Sequence, residues 1–134
     1  MRIFIDTNVL VSGFATRGLS ADVVRLVLAE HDLVTGEGVL AELRRVLRDK
    51  MKVPAPRIEA VEALLRRYPV VPVPTTLPGV PIRDADDLLV LASAIAAGAE
   101  VLVTGDRDLL DVRDAVPAPR IITPRELWEL LRQG

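Results

Sequence analysis

The chain has 134 residues, half of them hydrophobic, which is enough for one core and predicts a single domain over residues 1–134. It has no cysteine and one histidine, His31, so disulfide frameworks, thiolate zinc sites and cysteine nucleophiles are excluded and a histidine-based triad has little to be built from. The formal net charge is −2. Because no apolar run reaches the length of about 18 residues that spans a membrane, and the N-terminus meets an acid at Asp6 instead of a signal-peptide core, we expect a cytoplasmic protein without membrane contact.

Apolar periodicity in the first half of the chain predicts strands that alternate with helices. In chain order we expect a strand at residues 2–5, a loop through Gly13 and Gly18, a helix N-capped by Ser20 and ending near His31, a strand at residues 33–35 and a helix over about residues 37–50. In the last of these helices, apolar residues three before and four after Glu42 put this glutamate on the apolar face. A glutamate in that position requires a positive partner.

The second half continues this alternation. We expect a helix up to about Tyr68, an edge strand at residues 70–73, a buried helix at residues 88–97, a buried strand at residues 101–104 and a final helix from Pro124. The edge assignment rests on Pro72, which cannot donate a hydrogen bond to a neighbouring strand. Thr123 and Glu126 have the spacing of a capping box. The alternation predicts an α/β protein with three layers, α/β/α, and a mostly parallel central sheet.

Four carboxylates fall in apolar-rich stretches at or near the ends of these predicted elements, at Asp6, Glu42, Asp87 and Asp106. An isolated charge in such surroundings costs several kcal/mol or shifts its pKa until it is neutral, and crowding of like charges adds to that cost. Loops at the carboxyl ends of parallel strands gather over one sheet edge, so these acids can converge. We therefore predict an oxygen-ligated Mg²⁺ or Mn²⁺ site. Helix capping for Asp87 and a turn role for Asp106 are the alternatives.

Basic residues give a weaker signal. The net charge of −2 becomes about +2 if a metal neutralises the four acids, which suits a polyanionic partner. Arg44, Arg45, Arg48 and Arg107 are candidates for contacts with RNA backbone phosphates, which position a nucleic acid without reading its sequence. For the basic cluster over residues 44–52, a solvated helix face is the simpler alternative.

Four ordered motifs resemble those of the PIN-domain family: residues 3–10 around Asp6, Glu42 with Leu43, residues 83–92 around Asp87 and residues 103–109 around Asp106. Each motif is weak alone, but their order and spacing over almost the whole chain are specific. Within the family, the chain is most similar to the VapC-like toxin components of toxin–antitoxin pairs. The resemblance implies a compact α/β/α fold, Mg²⁺- or Mn²⁺-dependent cleavage of RNA, homodimers and inhibition by a cognate antitoxin.

The same resemblance implies roles for individual residues. Its four acidic positions, catalytic and metal-ligating, correspond to Asp6, Glu42, Asp87 and Asp106. Family members often carry Asn or Ser where Asn8 stands and Thr or Ser where Thr104 stands, which implies that these side chains support the acids through hydrogen bonds. Asp84 and Asp108 lie beside the matched positions and are alternative ligands.

Together these features predict a metal-dependent endoribonuclease that is the toxin of a type II toxin–antitoxin pair. Two alternatives stay open. A haloacid-dehalogenase-like phosphatase also opens with an aspartate after its first strand, but it needs a second aspartate two residues later, where this chain has Asn8. Its lysine should also follow the core threonine, whereas Lys50 and Lys52 come earlier. The second alternative is a non-catalytic metal-binding interaction module that uses the same acids without turnover.

Overall fold

Five strands alternate with helices along the chain and form one sheet. The structure, a computed structural model, describes residues 1–133. Its strands are β1 (Arg2–Ile5), β2 (Asp32–Gly36), β3 (Val70–Val71), β4 (Val101–Val103) and β5 (Arg120–Ile122). Its helices are α1 (Thr7–Ala15), α2 (Leu19–Glu30), α3 (Glu37–Asp49), α4 (Ala55–Leu65), α5 (Ala85–Ala96), α6 (Arg107–Leu110) and α7 (Pro124–Gln133), with a short 3₁₀ turn at Arg113–Ala115.

All neighbouring strands run parallel, in the order β3-β2-β1-β4-β5. The central strand β1 aligns Ile3 with Leu33 of β2 on one side and with Val101 of β4 on the other. The chain thus adds strands outward from β1 to β3 and returns through α5 to place β4 beside β1. This reversal makes the carboxyl ends of β1 and β4 the topological switch point, where open parallel sheets form their ligand crevice. The predicted α/β/α architecture with a parallel sheet is confirmed.

The sheet lies in the hydrophobic core between the helical layers. Ile3, Phe4 and Ile5 of β1 are fully buried, as are Leu102 and Val103 of β4. Strands covered on both faces have continuous apolar runs, which is why these short segments can be recognised from sequence. Each large buried side chain contributes roughly 1.5–3 kcal/mol to stability, so the strand ends that carry the polar residues are firmly held.

The prediction of a loop after Asp6 was wrong, because helix α1 begins at the next residue and Asp6 is its N-cap. Gly13, read as a loop signal, lies inside α1 where that helix approaches α2. A Cβ atom built on Gly13 would lie 2.6 Å from Cγ2 of Val24, so glycine here permits close helix packing. Helix α2 begins at Leu19, and its N-cap is Gly18 at φ 126°, not Ser20 as predicted.

Other boundaries also differ from those expected. Helix α5 begins at Ala85, three residues earlier than predicted, because the Asp84 side chain caps it by accepting a hydrogen bond from the Asp86 amide. Ile95 of this helix is 45% exposed, so α5 is not buried on all sides. Strand β3 is shorter than predicted but lies at the sheet edge as expected. Strand β5, with only three residues, was not predicted.

The capping box at the start of α7 is confirmed. The Thr123 hydroxyl accepts a hydrogen bond from the Glu126 amide at 3.1 Å, and the Glu126 carboxylate accepts one from the Thr123 amide at 3.0 Å. The Thr123 amide and hydroxyl, with help from Arg113, hold the pKa of Glu126 below its ordinary value. These reciprocal bonds satisfy two backbone donors that would otherwise be unpaired at the helix start.

Candidate metal centre

Asp6 is the most deeply buried carboxylate of the site. It follows β1 directly and is 5% exposed. One of its oxygens accepts a hydrogen bond from the Thr7 amide and the other accepts one from the Thr104 hydroxyl, both at 2.7 Å. Burial raises the pKa of Asp6, the two hydrogen bonds counteract part of the rise, and the nearby Asp106 carboxylate adds to it. Asp6 is therefore a buried carboxylate held in place at the switch point, and no lysine or arginine among residues 1–133 forms a salt bridge with it.

Thr104 connects the ends of β1 and β4. Its hydroxyl donates to Asp6 and accepts a hydrogen bond from the Asp106 amide at 3.0 Å. The backbone adds a further link at the same place, since the Asp6 amide donates to the Val103 carbonyl at 2.9 Å. The orientation of the Asp6 side chain is thus coupled to the turn that carries Asp106.

A second group of acids lies beside Asp6, at the starts of α5 and α6. Asp87, Asp106 and Asp108 each offer one carboxylate oxygen, and these three oxygens lie within 4.8 Å of one another. Burial, then the Asp106 carboxyl, and then the charges of Asp84 and Asp6 raise the pKa of Asp87 to about 7. A pKa raised this far indicates that a negative charge on Asp87 is unfavourable beside the other acids.

Glu42 approaches the site from α3 and is half-buried on that helix. Its pKa is raised by burial first and by Asp6 next, while Arg45 counteracts part of the rise and Asp86 adds to it. The neighbours of Glu42 are therefore Asp6 and Asp86, whereas Asp87 adjoins Asp106. Asp6 lies near both sets of acids, since its charge raises the pKa of Glu42 and that of Asp87.

The donor set fits a hard divalent cation. Carboxylate and hydroxyl oxygens are the ligands that Mg²⁺ and Mn²⁺ prefer. Within residues 1–133, no salt bridge involves Asp6, Glu42, Asp87 or Asp106, so their charges are not neutralised by a lysine or arginine. The Thr7 hydroxyl is 1% exposed and lies close enough to Glu42 to lower the pKa of that carboxyl, but it has no hydrogen-bond partner of normal geometry within residues 1–133. A buried polar atom without a partner beside uncompensated acids indicates a position for a further polar or charged group.

The supporting and alternative residues fall in different places. Thr104 contacts Asp6 directly, whereas Asn8 is exposed on the first turn of α1. Asp108 joins the cluster with Asp87 and Asp106, and its own amide donates to Asp106 at 2.8 Å. Asp84 is exposed, caps α5 and acts on Asp87 through its charge. Of the two alternative ligands, Asp108 is thus the one with oxygens in the cluster.

Only part of the basic set lies near these acids. Arg44 pairs with Glu62 of α4, and Arg48 pairs with Asp49 at 2.8 Å, so both guanidinium groups are engaged by other carboxylates. Arg45 lies close enough to Glu42 to lower its pKa. Arg107 is exposed at the first position of α6, between Asp106 and Asp108 in sequence.

Thr7 and Asp86 are two neighbours of the site that sequence reasoning did not single out. Thr7 follows Asp6 in the chain, and that adjacency was the one available signal. Asp86 lies in a run of three acids near the start of α5. The start of α5 decides that Asp86 lies near Glu42 and Asp87 near Asp106. The sequence prediction put this start three residues too late.

A family model and a solved structure both match this chain. A family model described as "PIN domain" matches residues 2–108. A solved structure of VapBC2 from Rickettsia felis, bound to a DNA fragment from the promoter of its components, matches with a TM-score of 0.61 and 19% identity, covering 92% of this chain and 98% of the other. At that identity the match shows a shared fold. No curated protein sequence matches.

None of the helices within residues 1–133 combines the length and the apolarity that crossing a bilayer requires.

The family match spans more than three quarters of the chain and covers β1, β4 and every acid of the cluster at the switch point. The fold, the position of the acids and the family model therefore lead to the same assignment, and this chain belongs to the PIN-domain family.

Proposed function

We propose that this protein is a single-domain, metal-dependent endoribonuclease that hydrolyses RNA phosphodiester bonds and serves as the toxin of a type II toxin–antitoxin pair. The observation that supports the proposal most is the group of acids at the switch point, where Thr104 links Asp6 to the Asp106 amide and the oxygens of Asp87 and Asp106 lie within 4.8 Å of each other. Glu42 lies close enough to Asp6 for that carboxylate to raise its pKa, and within residues 1–133 no salt bridge neutralises any of the four acids. Membership of the PIN-domain family supports nuclease chemistry. The fold shared with VapBC2 supports an antitoxin partner, and the resemblance noted above supports a homodimer.

The residues of the site have three kinds of role in this mechanism: holding the metal, orienting a ligand and contacting phosphates. Asp6, Glu42, Asp87 and Asp106 would hold one or two Mg²⁺ or Mn²⁺ ions. When bound, such ions activate water for attack and stabilise negative charge at the scissile phosphate. Thr104 fixes the orientation of Asp6 through its hydrogen bond. Arg45, which lies near Glu42, and the exposed Arg107 are our candidates for contacts with backbone phosphates. Arg44 and Arg48 would first have to leave Glu62 and Asp49.

The product ends follow from hydrolysis by an activated water. Attack on phosphorus with departure of the 3′ oxygen leaves a 5′-phosphate and a 3′-hydroxyl. A mechanism through the ribose 2′-hydroxyl would leave a cyclic phosphate and usually requires a side-chain base. The one histidine of the chain, His31, caps the end of α2 and is not among the residues of the site.

The proposal is tested with purified protein, single-stranded RNA, and Mg²⁺, Mn²⁺ or EDTA. We expect cleavage that requires the metal, and a loss of at least about 100-fold in Asp6→Asn with the fold retained by circular dichroism. Asp32→Asn is the matched control, because Asp32 is an exposed acid at the opposite, amino-terminal end of β2. Equal metal-dependent cleavage by Asp6→Asn and Asp32→Asn would reject the assignment.

Two further outcomes distinguish the alternatives. Hydrolysis of a chromogenic phosphate monoester without any RNA cleavage would favour the phosphatase. Mn²⁺ binding that depends on Asp6 without turnover of either substrate would favour a non-catalytic module. Co-purification of the toxin with the product of a neighbouring gene, and relief of RNA cleavage on mixing, test the antitoxin part of the proposal.

A further inference from the structure

A cavity of about 80 Å³ lies beside Glu42, between α3, α5 and the chain that follows β3. Its walls are mostly aliphatic, and polar atoms come from three side chains: Glu42, Asp86 and Ser93. At roughly 10–15 Å³ for each water-sized group, the cavity takes about five to eight such groups, which is the size of one heterocyclic ring with its substituents. We call this space the Glu42 cavity.

The polar side chains of the Glu42 cavity offer hydrogen-bond acceptors. Glu42 and Asp86 contribute carboxylates. The Ser93 hydroxyl uses its proton in a bond to the Leu89 carbonyl at 2.8 Å and so presents lone pairs. A ligand that fits this wall must therefore present N–H or O–H donors along a flat, otherwise apolar body. A carbonyl oxygen at the same position would face the Asp86 carboxylate, which can accept but not donate a hydrogen bond, and would be repelled.

Gly38 helps to keep the Glu42 cavity open. It lies in the first turn of α3, one turn before Glu42, so the two residues share a helix face. A Cβ atom built on Gly38 meets no other atom within 4 Å, so a side chain there would extend into free space. A helical glycine costs up to about 1 kcal/mol relative to alanine, and the backbone conformation here does not require glycine. Gly38 lines the cavity, so we expect a long side chain at this position to occupy part of it.

We propose that the Glu42 cavity receives an unpaired nucleobase carrying an exocyclic amino group, from the nucleotide next to the scissile phosphate. This inference rests on the proposed function, because it assigns a specificity site beside the same acids. The amino group donates to Asp86, while the ring lies against the aliphatic walls. Uracil, which has carbonyl oxygen in place of the amino group, is disfavoured. Carboxylates recognise the amino group of cytosine in this way at nucleic-acid interfaces.

Binding is measured by fluorescence anisotropy of labelled single-stranded RNA octamers, one all uridine and one with a single central cytidine. Ca²⁺ replaces Mg²⁺ so that binding is followed without turnover. The two octamers differ in one base: cytosine carries an amino group at C4 and an unprotonated N3, whereas uracil carries a carbonyl oxygen at C4 and a proton on N3. We expect the wild type to bind the cytidine octamer about tenfold more tightly, the effect of one charge-assisted hydrogen bond. Equal affinity of the wild type for both octamers would overturn the proposal.

Substitutions in the cavity test whether the preference for the cytidine octamer arises there. Gly38→Leu should fill the cavity and Asp86→Ala should remove the acceptor, and each should bring the ratio of the two affinities close to one. Ala29→Leu is the matched control, because it adds the same side chain at an exposed position of α2 that does not line the cavity. A preference for cytidine that persists in both Gly38→Leu and Asp86→Ala would place recognition elsewhere.

Cleavage of the same octamers with Mn²⁺ separates this inference from the proposed function. Metal-dependent cleavage with no preference for the bond beside the cytidine would overturn the nucleobase site and leave the nuclease intact. Discrimination in binding, abolished by Gly38→Leu, with no cleavage of either octamer would overturn the nuclease and retain the base site. We expect both discrimination in binding and cleavage at the bond next to the cytidine.

Discussion

Thr104 is the side chain through which the two strand-end acids act together. Its hydroxyl bonds both to Asp6 and to the amide of Asp106. Thr104→Val keeps the volume but removes these bonds, and we expect metal affinity and RNA cleavage to fall by about 10–100-fold, the usual effect of losing a supporting hydrogen bond to a ligand. Thr104→Ser should retain both. Mn²⁺ titration by calorimetry, paired with cleavage rates, checks this, and wild-type affinity in the valine variant would contradict it.

Asp87 should make the metal-free protein sensitive to pH. Burial and the Asp106 carboxyl raise its pKa from 3.8 to about 7. The folded protein is therefore stabilised while the Asp87 carboxyl is protonated, and this stabilisation is lost as the pH rises from 3.8 towards about 7. In EDTA at about pH 7, Asp87→Asn should be more stable than the wild type by roughly 1 kcal/mol, after allowance for its partial solvent access. Towards about pH 5 the difference should shrink. Urea unfolding at both pH values measures it.

Asp32→Asn provides the baseline for that comparison, because its carboxylate is exposed and distant from the cluster at the strand ends. A difference between Asp87→Asn and wild type that does not change with pH would show that crowding of negative charge is not its cause.

At the scale of single residues, the sequence identified the acids but not all of their neighbours. Asp6 and Glu42 could be identified because an acid at the end of an apolar run, or on an apolar helix face, has few structural explanations. The proximity of Asp108 to Asp87 depends on the starts of α5 and α6, and those boundaries are set by the capping bonds of Asp84 and Asp106. For Thr7 the sequence offered only its adjacency to Asp6, because the burial of its hydroxyl depends on three-dimensional packing.

At the scale of elements, Gly13 determines how closely α1 packs on α2. Replacing a helical glycine with alanine usually stabilises a protein by up to about 1 kcal/mol. For Gly13→Ala we expect the opposite, a loss of about 1–3 kcal/mol, because the new Cβ would lie 2.6 Å from Cγ2 of the buried Val24. Gly38→Ala, with no atom within 4 Å of its new Cβ, is the matched control and should be neutral or stabilising. Urea unfolding of both variants tests the pair.

Combining Gly13→Ala with Val24→Ala identifies the cause of that loss. The double variant should lose less stability than the sum of its two single variants, because removing the valine methyl groups relieves the clash. Strict additivity would show that the two side chains do not interact.

Elements could be predicted where one local signal was sufficient. Strands β1, β2 and β4 are buried apolar runs, and α7 begins with a capping box, so local sequence alone indicated them. Helix α1 was missed because Gly13 and Gly18 are local loop signals, whereas one serves close helix packing and the other caps a helix. Strand β5 was missed because three residues are too short to show a period, and its stability comes from pairing with β4.

At the scale of the whole molecule, the order of the strands decides that the acids meet. Sequence periodicity indicated a parallel sheet, but it carries no information on which strand lies beside β1. The order β3-β2-β1-β4-β5 puts β4 there, and with it Thr104 and Asp106 beside Asp6. The fold thus concentrates negative charge at one edge, and a cation that neutralises it should stabilise the entire domain.

This coupling between charge and stability can be measured directly. Because a metal that binds only the folded chain stabilises it by RT ln(1 + [L]/Kd), Mn²⁺ at about 100 times its dissociation constant should add about 2.7 kcal/mol to the free energy of unfolding. Asp6→Asn should lose most of this gain, whereas Asp32→Asn should keep it, since it alters an exposed acid outside the cluster. Thermal unfolding in EDTA and over a Mn²⁺ series gives the measurement. An equal rise in melting temperature for Asp6→Asn and wild type would show that the cation binds outside the switch point.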